Sequence, residues 1–425
     1  PVRLIRNRVI ITRTAFYLVA QFIQRAANLL LLPLLVAQMS AEQFSRYGLL
    51  ATLFLLLGAL FTWNVHLAPS RLIFDCDTSE QQADLLRSSL FGALILIILC
   101  TIPLLTILQA RGIQDPVTQG DFLIQMGIVL CVIALRVSDF GTILMQVEGK
   151  AALFAMTAIT RQGSLLLGFI LLSWLLADAF IAFLLSFLLS AVAAMLVSLR
   201  YVWNRIRQGS LLWDWFRKSF DYAAPTAIHV IAIWFIQSSG RWIGIHYMTL
   251  EEMAPFTLVT QIVLIVSMFS RAFFSARAPD IGASFGKRDV VRGMRFINTT
   301  VLIILPLLTL AYAGLYIIMH IIEINLPLDY RPTITLMFFA FLVNIFDLIY
   351  LRGIQTLSGL KKNRAQAIAT VLSGLFTVAI SFPLTAQMHD TGLILAMTLG
   401  YAVQALSSNL VAHQYLTRSM KELSN

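Results

Sequence analysis

The chain is dominated by runs of about 20 apolar residues, the length at which an α-helix crosses a hydrocarbon core roughly 30 Å thick. Twelve such runs can be read, with approximate limits 14–36, 47–68, 87–109, 122–146, 152–176, 178–200, 221–246, 254–276, 294–318, 332–351, 365–385 and 391–415. Backbone polar groups in lipid must be satisfied internally, so the expected class is an all-α polytopic membrane protein. Composition points the same way. Of 425 residues, 59% are apolar and 12% charged, against roughly 25% charged in a soluble domain, and the mean hydropathy is +0.82.

An even number of spans puts both termini on one side, and the basic residues say which. Arg3, Arg6, Arg8 and Arg13 precede the first span, and Arg200, Arg205, Arg207, Arg217 and Lys218 crowd the sixth connection. Arg277, Lys287, Arg288, Arg292 and Arg295 fill or flank the eighth, while the opposite face shows only Arg46, Arg111 and Arg331. By the positive-inside rule both termini are cytoplasmic. The net charge of +10 is thus a topology signal, and no nucleic-acid partner is expected. Cys76, Cys100 and Cys131 are too scattered for a disulfide framework or a zinc site. No metal and no cofactor are expected. The first run is too long for a signal-peptide core and lacks an A-x-A-like cleavage site, so it is expected to remain in the protein.

The most specific pattern is internal. Met39 to Leu50 aligns without gaps on Met248 to Val259, and Ala68-Pro69 and Ala278-Pro279 fall at nearly the same offset. Six helices used twice predict two six-helix lobes in the same orientation, related by a pseudo-twofold axis along the membrane normal, with a site between them. The boundaries read as 1–200, a basic amphipathic cytoplasmic linker 201–220, and 221–425. Leu211, Leu212, Trp213, Trp215 and Phe216 are expected along the membrane interface.

Charges within the spans mark candidate sites. Arg25 lies about 11 residues into the first run, roughly 16 Å along a helix. With Gln21, Gln24 and Asn28 it forms one polar stripe. A central arginine costs about 2.5 to 3.5 kcal/mol on the translocon scale, so it must face a bundle interior or wet cavity. Arg241 is its counterpart in the second half, with Gln237 on the same helix and Gln261 on the next. Arg161 is a further buried arginine. Arg136 and Asp139 have the i,i+3 spacing of an ion pair, which makes Arg136 a strut. Asp347, with Asn344 one turn earlier, has no arginine at helical spacing. It is the candidate ion-coupling carboxylate together with Asp139, while pairing with an arginine from another helix stays open.

Three features together resemble the polysaccharide transporters of the MOP flippase superfamily, the Wzx type. They are the basic amino terminus, the connection Ser40-Ala41-Glu42-Gln43-Phe44-Ser45-Arg46-Tyr47-Gly48, and the segment from Tyr222-Ala223-Ala224-Pro225 to Ser238-Ser239-Gly240-Arg241. The family usually shows Ser-Asp-Arg at the last place, and Gly240 stands here for the aspartate. The resemblance implies a monomeric flippase, not an enzyme, in the bacterial inner membrane. It would move undecaprenyl-diphosphate-linked oligosaccharide, such as an O-antigen repeat unit, outward by alternating access, with membrane lipids around it and a polysaccharide polymerase and chain-length regulator as partners. Substrate ligands would be Arg25, Arg241, Arg161, Gln21, Gln24, Asn28, Gln237 and Gln261. The first alternative is a MATE-like multidrug or metabolite exporter, which needs anionic side chains to hold organic cations. The second is a membrane enzyme of polysaccharide biosynthesis, which needs an acid/base cluster that the short outer loops lack.

Overall fold

The computed structural model describes residues 23, 27, 29–110, 115–286, 289–320, 327–360 and 362–424. Among them there is no strand. The apolar helices are α1 (Leu29–Gln38), α2 (Ala41–Thr62), α3 (Ser79–Ala110), α4 (Phe122–Val147), α5 (Ala151–Leu175), α6 (Ala179–Ile206), α7 (Trp213–Gln237), α8 (Ala254–Gly286), α9 (Val290–His320), α10 (Ile334–Gly359) and α11 (Asn363–Ser424). Ten of these are long and apolar enough to cross a membrane. At 1.5 Å per residue α11 would run about 93 Å, three times the hydrocarbon thickness. It breaks instead at His389, with φ 50° and ψ −126°. Beyond the break Gly392 lies against the carbonyl of Leu384, where no Cβ would fit. With α11 counted as two spans, eleven of the expected runs are matched among the described residues of a multi-pass membrane protein, and most of the first run, 14–36, lies outside them.

The chain divides into two compact units, Pro1–Met39 with Leu50–Val230, and Ser40–Leu49 with Ile231–Asn425. In the first, α6 packs on α4 and α5. A core of Leu85, Leu86 and Leu90 from α3, Phe140 and Leu144 from α4, and Val202 and Ile206 from α6 closes one end. In the second, α10 is central and packs on α8, α9 and α11. The amphipathic linker is shorter than 201–220, because α6 continues to Ile206 and α7 already starts at Trp213. The remaining segment is pinned to α3 rather than free. Arg87 donates to the Gly209 carbonyl at 2.7 Å, and the Leu212 amide donates to Ser88 Oγ at 2.9 Å. Leu211 and Trp213 stay exposed, as an interfacial segment requires.

The repeat has a physical basis. Ser40 and Gln43 form a reciprocal capping box, with amide-to-side-chain bonds of 3.1 and 3.2 Å. Thr249 and Glu252, at the aligned positions, form the same box at 2.8 and 3.3 Å. Such boxes satisfy the first free amides of a helix. The backbone bonds Phe44 to Ser40 and Met253 to Thr249 also recur, at 2.9 and 3.2 Å. Moreover, aligned residues touch: a Cβ on Gly48 would lie 2.5 Å from Cγ2 of Thr257. Since Gly48 aligns on Thr257, equivalent positions of the two copies meet there.

The two boxes differ in one respect that can be measured. Hydrogen bonds from the backbone and side chain of Thr249 hold the Glu252 carboxyl below the ordinary 4.5. A lowered folded-state value means that this contribution is complete above the ordinary range and is lost as pH falls through the lowered value. Acidification should therefore increase hydrogen exchange at the Thr249 amide, which donates to the Glu252 carboxylate, corrected for intrinsic rates. The Ser40 and Gln43 amides, capped by a group that does not titrate, should hold. Equal losses in both boxes would contradict this.

Candidate functional site

Gln21, Gln24, Arg25 and Asn28 lie outside the described residues. The other candidates fall into three groups, one in the first unit and two in the second.

In the first unit the centre forms where α2 stops. The Thr62 hydroxyl donates to the Gly58 carbonyl at 2.6 Å and accepts the Asn64 amide at 3.1 Å. Trp63 and Asn64 then take positive φ, 47° and 56°, a conformation that asparagine tolerates better than most residues. The next turn buries His66 completely. Arg136 Nη1 is 3.3 Å from His66 Nε2, and Thr62 Oγ1 is 3.3 Å from Nδ1. A guanidinium only donates, so Nε2 is the acceptor and the ring proton sits on Nδ1, towards Thr62. Arg136 passes over Gly58, where a Cβ would come within 2.7 Å of Nη2. Asp139 takes both arginines, Arg136 on α4 and Arg161 on α5, each at 3.3 Å. The i,i+3 pair expected from the sequence is present; the second arginine on the same carboxylate is an addition that helical spacing does not foretell.

In the second unit α10 presents Asn344 and Asp347 on one buried face. Asn344 accepts from Ser267 on α8 at 3.0 Å and donates to the Tyr312 hydroxyl on α9 at 2.6 Å. Asp347 is held by Arg271 of α8 at 2.9 Å. Arg271 is absent from the candidates drawn from the sequence, although an arginine 17 residues into an apolar span is signal enough. The candidate coupling carboxylate is thus already paired with a guanidinium from another helix. Gln237, at the end of α7, donates to the Tyr401 hydroxyl at 2.6 Å, and Gln261 is half-buried on α8.

Arg241 lies on a short helix, Ser239–Gly244, that restarts after α7 ends. It is wholly buried. Its Nη2 donates to the Thr260 hydroxyl, whereas Nε and Nη1 have no hydrogen-bond partner. Its stem crosses Gly48, with Nε 3.5 Å from where a Cβ would stand. No salt bridge reaches it among the described residues. Gly240 is oriented towards Phe256 and Leu393, 3.5 and 3.7 Å from a built Cβ, so an aspartate there would start against an apolar wall. Among the described residues no three His, Cys, Asp or Glu side chains cluster to hold a metal.

These helices define the fold of the MATE transporters of the MOP superfamily. The chain is similar to a multidrug resistance MATE family transporter of that superfamily, determined in an inward-facing conformation, with TM-score 0.70 and 16% identity over 96% of this chain and 95% of that one. The eukaryotic MATE transporter AtDTX14 gives 0.65 at 12% identity over 94% and 95% of the two chains. A MOP superfamily transporter from Pyrococcus furiosus, described as having a reversed polarity of its binding pocket that suggests a different function, gives 0.61 at 14% over 97% and 96%. No protein-family profile and no curated protein sequence matches the chain.

Proposed function

We propose that the protein is a flippase for an anionic lipid, moving an undecaprenyl-diphosphate-linked oligosaccharide such as an O-antigen repeat unit from the cytoplasmic to the periplasmic leaflet of the bacterial inner membrane. One observation carries this reading. Four buried or half-buried guanidiniums, Arg136, Arg161, Arg241 and Arg271, stand in the two units with two carboxylates, Asp139 and Asp347, to pair with three of them. No described acid pairs with Arg241. Intramembrane charge of one sign is costly and calls for a ligand of the other. Arginine offers planar, always-charged donors that pair bidentately with phosphate. Two negative charges leaving an inside-negative cytoplasm move downhill by about 4.6 kcal/mol at 100 mV, so no nucleotide hydrolysis is required. The Pyrococcus furiosus protein supports the view that this fold can carry a pocket of inverted polarity.

The competing reading, a MATE-like exporter of organic cations, draws support from the multidrug transporters that share the fold. It would rest on Asp139 and Asp347, and both are already neutralised by arginine. The test is transfer of lipid-linked glycan in reconstituted vesicles. Wild-type protein should transfer it, and Arg25→Ala and Arg241→Ala should not. Efflux of cationic drugs without glycan transfer would give the exporter reading the field, and wild-type transfer by both variants would remove these arginines from the site.

A further inference from the structure

We propose that the first unit holds its own phosphate-binding site, formed by Asn64, Arg136 and Arg161 around the His66 ring. The choice of a diphosphate as ligand rests on the flippase reading; the site itself rests on two unused donors and an unbalanced charge.

Both donors in this centre are buried. Asn64 is 5% exposed and its Nδ2 has no acceptor; Arg136 Nε has none either. Buried donors are nearly always satisfied, so two unpaired ones, on the asparagine two residues before His66 and on the arginine that donates to its ring, indicate a missing acceptor. The surrounding groups cannot supply it. His66 Nε2 is taken by Arg136, and Thr62 Oγ1 already serves the Gly58 carbonyl, the Asn64 amide and the His66 ring. Both oxygens of Asp139 are engaged, one on each arginine.

Charge points to the same class of ligand. Two guanidiniums share one carboxylate, which leaves one positive charge unbalanced. A water molecule could accept from Asn64 and Arg136 but would not balance it. A phosphate oxygen does both, since it only accepts and is negative. The centre is also reachable, because the side chains of Arg161 and Asp139 are 29% and 27% exposed. Asp139 acts as a tether that holds the two arginines in place when the site is empty. The backbone turns at the same place, since Asn64 is left-handed, with φ 56° and ψ 19°, two residues before the His66 ring that Arg136 reaches.

The test uses the full chain in detergent, in an Arg25→Ala, Arg241→Met background that removes the two arginines assigned to the flippase site, with calorimetric titration of inorganic diphosphate. Asn64→Gly keeps the left-handed backbone and deletes the donor; Arg136→Lys keeps the charge and deletes the fork. Each should weaken diphosphate binding about tenfold, the loss of one charge-assisted bond, with melting curves confirming that both variants fold. Undiminished binding in both, or no binding by the parent, would overturn the site. A short-chain prenyl diphosphate in the same titration separates the sources. Tighter binding than the inorganic ion supports a lipid headgroup. Preference for the inorganic ion would keep the site and count against the flippase reading.

Discussion

Arg271→Gln is expected to destabilise the protein far more than Asp347→Asn, although the two side chains form one ion pair. The asymmetry comes from where each end lies. The Asp347 side chain is 1% exposed, and its second oxygen has no partner, while 40% of the Arg271 side chain is open. Removing the guanidinium leaves a secluded carboxylate without a counter-charge, an event that costs about 3–5 kcal/mol in buried pairs. Removing the carboxylate leaves an arginine that can turn outward, at a cost of about 1 kcal/mol or less, as for exposed pairs. The double variant should therefore return to the stability of Asp347→Asn alone. Thermal unfolding in detergent reads all three. Equal losses in the single variants would mean that the burial of Asp347 is not what sets the energetics of the pair.

Arg241→Met should raise the melting temperature while abolishing glycan transfer. Three facts argue for the gain: complete burial, a single bond to Thr260, and two nitrogens with no partner. Taking a charge out of water is costly unless it is paired, and apolar replacement of buried charged groups stabilises by about 1–4 kcal/mol in well-packed cases. Methionine matches the length of the arginine stem and leaves no donor behind. The expected loss follows from the proposed role. A charge-assisted bond to phosphate is worth about 1.5–3 kcal/mol, or roughly 10- to 100-fold in affinity for one contact, and Arg241 offers more than one. Opposite signs for stability and transfer are the pattern of a residue kept for function. A more stable variant that still transfers glycan would take Arg241 out of the mechanism.

The spans are legible in the sequence because each must be apolar over a fixed length, and the break in α11 because its run is too long for one crossing. Arg136 and Asp139 are legible because helical spacing alone brings them together. What periodicity cannot show is which face of one helix meets which face of another. Arg271 and Asp347 lie 76 residues apart, and their pairing comes from the packing of α8 on α10. Arg161 joins Asp139 for the same reason, across 22 residues. The end of α2 at Thr62 is hidden differently, because Trp63 and Asn64 carry neither glycine nor proline. Their left-handed geometry becomes evident only from the bonds that Thr62 makes on both sides of it. The linker is shorter than its composition suggests because its polar backbone finds partners on α3, whereas composition conveys only an affinity for the interface.

The meeting of Gly48 with Thr257 couples the two copies of the repeat through one shared volume. A residue that faces its own duplicate shares one fixed volume with it, so neither copy can gain bulk unless the other gives it up. A larger side chain on one side therefore calls for a smaller one on the other, and a glycine opposite a threonine meets that condition.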